Sequence, residues 1–180
     1  MHLFLTGSVQ IGKTTALNKT LELLKVTPGG FRSYFGEDRK SPCRYLYMSS
    51  AAEPCAFTPE HAIVKYGLNE NGMPVHIVLP RFEELGLQYL SEASSYPLIV
   101  LDECGRLEQQ LPRFRARVLE LLDGDVPVLG AVRQDAMGWL EDIRNHPKVQ
   151  LITVTEQNRT DLPLQLAEYY APFIKPIKEE

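Results

Sequence analysis

An unbroken match to G-x-x-x-x-G-K-[ST] runs through Gly7-Ser8-Val9-Gln10-Ile11-Gly12-Lys13-Thr14. No other feature constrains the fold as much, because the motif works only as the hinge between a buried strand and a helix. Both flanks comply. His2 to Thr6 is a short apolar run that predicts a strand. From Lys13 to Val26 the apolar residues Leu17, Leu21 and Leu24 fall at helical spacing, and Pro28-Gly29-Gly30 ends the pattern. Each fixed residue has a physical task. Gly7 and Gly12 permit backbone angles that turn successive N–H groups toward one point, and they leave room for phosphate oxygens. Lys13 supplies a mobile point charge, and the Thr14 hydroxyl suits a hard divalent cation such as Mg2+. The positive end of the helix that starts here adds to the same field. The expected nucleotide-binding set therefore runs from Gly7 through Thr15.

Further along, strands alternate with helices. Phe82, Leu85, Tyr89 and Leu90 keep helical spacing up to Ser94, and Pro97 to Leu101 is a continuous apolar strand of the kind covered on both faces. A helix from Pro112 to Leu122, a strand from Pro127 to Val132, a helix from Ala136 to Asn145, a strand from Val149 to Val154 and a helix from Leu162 to Tyr170 follow. This order predicts an α/β fold of the P-loop type, a mainly parallel sheet with helices on both faces. Between the first helix and Pro80 the chain reads differently. Phe31 to Phe57 is aromatic and irregular, with strand-like alternation over Arg44 to Met48. His61 to Tyr66 and Pro74 to Leu79 flank the turn-forming Asn69-Glu70-Asn71-Gly72. An antiparallel edge or hairpin insertion is expected there. At 180 residues, without a repeat or linker, residues 1–180 read as one domain.

A phosphate cradle leaves its cation only partly balanced, so a carboxylate is required nearby. Leu98-Ile99-Val100-Leu101-Asp102 provides one at a strand end, where it can reach the metal. Glu103 follows, and strand alternation sends it to the other side, free to orient and deprotonate an attacking water. Transfer of a γ-phosphoryl group also develops charge that an arginine stabilises. Arg133, at the end of the Pro127 to Val132 strand, faces the crevice of an open parallel sheet. Arg32 and Arg106 are alternatives. The expected catalytic set is Lys13, Glu103 and Arg133, and the expected metal ligands are Thr14 and Asp102.

Composition narrows the partners. A net charge of -4 gives no general attraction to nucleic acid or anionic lipid, and the basic run Arg113 to Arg117 reads as a solvated helix face. Cys43, Cys55 and Cys104 form neither a disulfide framework nor a zinc spacing, and His2, His61, His76 and His146 show no ligand pattern. Trp139 reads as core. The apolar run at the N-terminus stops at Gly7, too short for a signal peptide, and nothing approaches a membrane span, so a cytoplasmic protein is expected.

With these parts in view the chain resembles the THEP1-type nucleoside-triphosphatases, small P-loop proteins that hydrolyse ATP, GTP and other triphosphates slowly. The resemblance takes in the P-loop, Gly29-Gly30-Phe31, Lys65-Tyr66-Gly67, Phe82 to Leu87, and Leu101 to Glu108, where the family has Asp-Glu-Ile-Gly-x-Met-Glu. Val154-Thr155-Glu156-Gln157-Asn158-Arg159 is similar to the family's Val-Thr-x-x-Asn-Arg, which implies that Asn158 and Arg159 cover the base. Two loops depart: Arg32 to Arg39 replaces a Glu-Val-Arg-Glu-type stretch, and Arg133 stands where many members carry histidine. The resemblance implies a magnesium-dependent triphosphatase of broad base specificity. The same cradle could serve a nucleotide or small-molecule kinase, or a triphosphate-dependent binding switch.

Overall fold

A computed structural model describes residues 1–134 and 137–174. Its centre is an eight-stranded sheet, β1 (His2–Thr6), β2 (Gly29–Phe35), β3 (Arg44–Ser50), β4 (Ala62–Leu68), β5 (Pro74–Val78), β6 (Ile99–Cys104), β7 (Val128–Val132) and β8 (Val149–Thr153), in the order β5-β4-β3-β2-β6-β7-β1-β8. The pairs β2–β6, β6–β7, β7–β1 and β1–β8 are parallel, and β2–β3, β3–β4 and β4–β5 are antiparallel. The sheet is thus a parallel half continued by an antiparallel wing.

Among the described residues the α-helices are α1 (Lys13–Leu24), α2 (Arg81–Ser91), α3 (Pro112–Asp123), α4 (Trp139–Arg144) and α5 (Leu162–Tyr170). Strand alternation explains how they divide. Leu3, Leu5, Val100, Leu129 and Ala131 pack with Leu17 and Leu21 of α1 and Leu162, Leu166 and Tyr170 of α5. Phe4, Ile99, Leu101, Val128 and Val132 point the other way, into Phe82 of α2, Phe114 and Val118 of α3, and Trp139 of α4. Both faces of β6, β7 and β1 are covered, as their continuous apolar runs require, while β8 at the edge is largely exposed. The expected α/β arrangement with an antiparallel insertion is what the chain adopts, and Trp139 is buried core. No described helix is long and apolar enough to cross a membrane.

Three local expectations change. β2 occupies residues read as a helix stop and an irregular stretch. Its first glycines answer to their neighbours: Gly30 has φ +94, and a Cβ there would lie 2.1 Å from the Val100 carbonyl oxygen. β6 does not end at Leu101 but runs on to Cys104, because Asp102 pairs with Arg32 on one side and Cys104 with Val132 on the other. α4 starts at Trp139, after Gly138 at φ +77; Ala136, the expected start, lies outside the described residues.

Candidate active site

β1 delivers Gly7 to the C-terminal edge of the sheet. Gly7, Gln10 and Gly12 take φ values of 136, 64 and 115, so the segment curls back on itself before α1 begins at Lys13. A side chain at Gly7 is excluded, since its Cβ would sit 2.8 Å from the Val154 carbonyl oxygen. Lys13 folds over this curl: its Nζ donates to the carbonyl oxygens of Gly7 (3.2 Å) and Ser8 (3.3 Å). Thr14 and Thr15 lie exposed on the first turn of α1.

β6 brings the acids to the same edge. The Thr14 hydroxyl donates to Asp102 Oδ1 at 3.2 Å, and Glu103 Oε2 lies 3.7 Å from Lys13 Nζ. The expectation that strand alternation would send the two carboxylates to opposite sides is therefore corrected. Pairing with β7 slips between Leu101 and Cys104, and both side chains reach the glycine-rich loop and line one cleft. Their surroundings still differ. Asp102 is 2% exposed, and burial pushes its carboxyl up to about 7 against the opposing pull of the Thr14 hydroxyl. Glu103 is 30% exposed.

Ser33 of β2 braces the pair from below: its Oγ donates to the Asp102 carbonyl at 3.1 Å and accepts the Glu103 N–H at 3.3 Å. Nothing in the sequence marked Ser33, because its partner is set by sheet register. Glu108, 5% exposed, accepts the Gly105 N–H at 3.0 Å and lines the cleft. In the sequence it stood only as the last residue of the Leu101 to Glu108 stretch that carries the family resemblance. β7 lies between β1 and β6, so Arg133 at its end stands between the loop and the acids. Arg133 and Arg106 both line the cleft; Arg32 sits beside Asp102 in the sheet and helps hold its charge.

Asn158 and Arg159 lie elsewhere. Asn158 Oδ1 accepts the Thr155 N–H at 2.8 Å and its Nδ2 donates to the Thr153 carbonyl at 2.8 Å, so its amide builds the loop after β8. Arg159 is exposed beside it. Neither lines the cleft.

The cleft has a volume of about 600 Å³. A smaller recess of about 140 Å³ adjoins it, bounded by Gly7, Ser8, Val9, Lys13, Glu103, Arg133 and Gln134. The recess sets a lysine and an arginine at the glycine-rich loop, a combination of groups that suits an anion. Fold and site together define a P-loop nucleotide-binding protein with a carboxylate pair.

Comparison with known proteins gives the family. The model of the family described as NTPase matches residues 2–167, and the chain belongs to that family, whose members hydrolyse nucleoside triphosphates. Nucleoside-triphosphatase THEP1 of Thermofilum pendens is 35% identical over 185 residues, covering 96% of this chain and 97% of that protein. The solution structure of a human cancer-related nucleoside triphosphatase superposes with a TM-score of 0.69 at 28% identity, over 93% of this chain and 96% of that one. The crystal structure of THEP1 from Aquifex aeolicus reaches a TM-score of 0.75 at 22% identity, over 94% and 99%, and shares the fold. The expected THEP1-type resemblance is borne out.

Proposed function

We propose that this triphosphatase is magnesium-dependent, acts on ATP, GTP and further nucleoside triphosphates with little regard for the base, and turns over slowly in the cytoplasm. One observation carries the reading: the two carboxylates are divided between the last two residues of the motif, Asp102 with Thr14 and Glu103 with Lys13.

The Thr14 and Asp102 oxygens suit magnesium. That ion takes one or two carboxylates and leaves its other positions to water and phosphates. The described residues hold no cluster of three His, Cys, Asp or Glu that would form an all-protein cage. Thr14 and Asp102 would hold the ion, which supplies charge neutralisation of the phosphates when bound. Lys13 is already held at the loop, so an arriving phosphate exchanges for the carbonyl oxygens it now contacts. That exchange also releases Glu103 from its ion pair, leaving its carboxylate beside the recess to orient a water and accept its proton. Arg133, on the recess's other wall, stabilises the charge that develops on the phosphoryl oxygens.

Broad base acceptance is supported by Asn158, whose amide is engaged at both ends by the backbone of its own loop, through the Thr155 N–H and the Thr153 carbonyl. The exposed, unpaired thiols of Cys43 and Cys55 suit a reducing compartment.

Phosphate release with ATP, GTP, CTP and UTP, each with and without magnesium, tests the reading. Glu103→Gln is expected to lower kcat by roughly 10²–10⁴-fold while triphosphate binding holds within a few fold. Wild-type turnover by the Gln variant would remove Glu103 from the mechanism, and release independent of magnesium would remove the metal.

A further inference from the structure

Past the recess the cleft continues across the antiparallel wing, where its wall is Phe35 of β2, Arg44 and Leu46 of β3, Tyr66 of β4 and His76 of β5. Hydrolysis does not need this space. A water nucleophile occupies about 30 Å³, whereas the cleft, at about 600 Å³, extends from Lys13, Thr14, Asp102 and Glu103 to these wing residues and falls in the range of sites that enclose small molecules. The wall is also built rather than incidental. The Arg44 guanidinium is fixed over two rings, its Cζ 5.2 Å from the centroid of Phe35 and 4.7 Å from that of Tyr66. Its Nη1 donates to the Ser41 carbonyl at 2.8 Å. Its Nε is buried and, among the described residues, has no hydrogen-bond partner. The His76 ring continues the surface, 6.0 Å from that of Tyr66.

An aromatic surface that holds a guanidinium is complementary to a flat base joined to an anionic phosphate, the rings offering a stacking face and the guanidinium its charge. Among the wing residues that line the cleft, Arg44 carries the one fixed charge. We propose that the Phe35–Arg44–Tyr66 wall is a second binding subsite, for a nucleoside monophosphate seated across the cleft from the phosphate recess. The proposal rests on the triphosphate reading in one respect, that the recess and not the wing takes the terminal phosphate. None of these wing residues bounds the recess, so the subsite's occupant and the triphosphate are bound together.

The test is calorimetric titration of AMP, GMP, CMP and UMP into wild-type protein already saturated with magnesium and a non-hydrolysable ATP analogue. At least one monophosphate should bind the loaded protein saturably at one per chain. Arg44→Ala should weaken that binding at least tenfold and Arg44→Lys less, while both keep the wild-type KM for ATP. Three results overturn the subsite: no monophosphate bound by the loaded protein at millimolar concentration, binding that the analogue abolishes, or a raised KM for ATP in Arg44→Ala. The last would mean that the wall holds the triphosphate's own base. If the analogue itself fails to bind, the triphosphate reading fails instead. The wing is then judged by titrating the monophosphates into Lys13→Ala, where unchanged Arg44-dependent binding upholds the subsite and no binding ends it.

Discussion

Glu108 shows how a single buried acid ties this site to pH. Burial pushes its carboxyl up to about 7, with the nearby Glu103 charge adding to the rise and the Gly105 N–H and Arg133 opposing it, against 4.5 for the free group. Between those two values the folded chain holds a proton at Glu108 that the unfolded chain has lost. Its contribution to stability is thus full below about 4.5 and declines as pH rises through about 7. At about 1.4 kcal/mol for each pH unit separating the two values, the swing amounts to ~3 kcal/mol. Glu108→Gln keeps an acceptor for the Gly105 N–H and removes the titration. Denaturant unfolding at a series of pH values should show wild type losing ground to the Gln variant across that window, and a difference that stays flat with pH would contradict it. Residues of this kind divide sharply in how far sequence reveals them. Lys13, Thr14, Asp102 and Glu103 were legible because each sits in a pattern the chemistry demands along the chain. Ser33 and Arg44 were not, because one acts through cross-sheet register and the other through rings on β2 and β4, contacts that no spacing along the chain encodes.

At the scale of elements, the end of the sheet opposite the site is fastened by α5. The buried Tyr170 hydroxyl donates to the Val128 carbonyl at 2.6 Å and accepts the Leu3 N–H at 3.1 Å, joining the helix to the first residues of β7 and β1. Tyr170→Phe keeps the ring and leaves two buried backbone groups unmatched, which should cost roughly 2–3 kcal/mol. Because Leu3 and Val128 lie at the far ends of strands whose C-termini carry the loop and Arg133, kcat should stay near wild type. A variant of unchanged stability, or one that is fully folded but inactive, would break that separation. β1 and α5 were read with their observed limits because burial imprints its period directly on such segments. β2 was not. Glycine pairs carry weak strand propensity, and the cause of this pair is tertiary: a Cβ at Gly29 would lie 2.6 Å from the Tyr96 ring, and one at Gly30 would collide with β6.

The whole molecule joins two halves of unequal cover. β6, β7 and β1 are enclosed by helices on both faces, while the wing runs out to β5, an edge strand whose Val75 and Ile77 are exposed. That asymmetry places the phosphate recess on the rigid half and the aromatic wall on the lightly covered one. Opening free energy follows buried apolar contact, so hydrogen exchange should be slowest in β6, β7 and β1 and faster by orders of magnitude in β5. Ligands should then separate the halves. A magnesium-loaded ATP analogue is expected to slow exchange in the loop from Gly7 to Thr14 and at the end of β6, with little change in β3 and β4. A monophosphate added to that complex should protect β3 and β4, the strands that carry Arg44 and Tyr66. Native-state exchange read by mass spectrometry resolves these segments. Equal protection of β5 and β7 in the free protein would show that the two halves open as one unit and not separately.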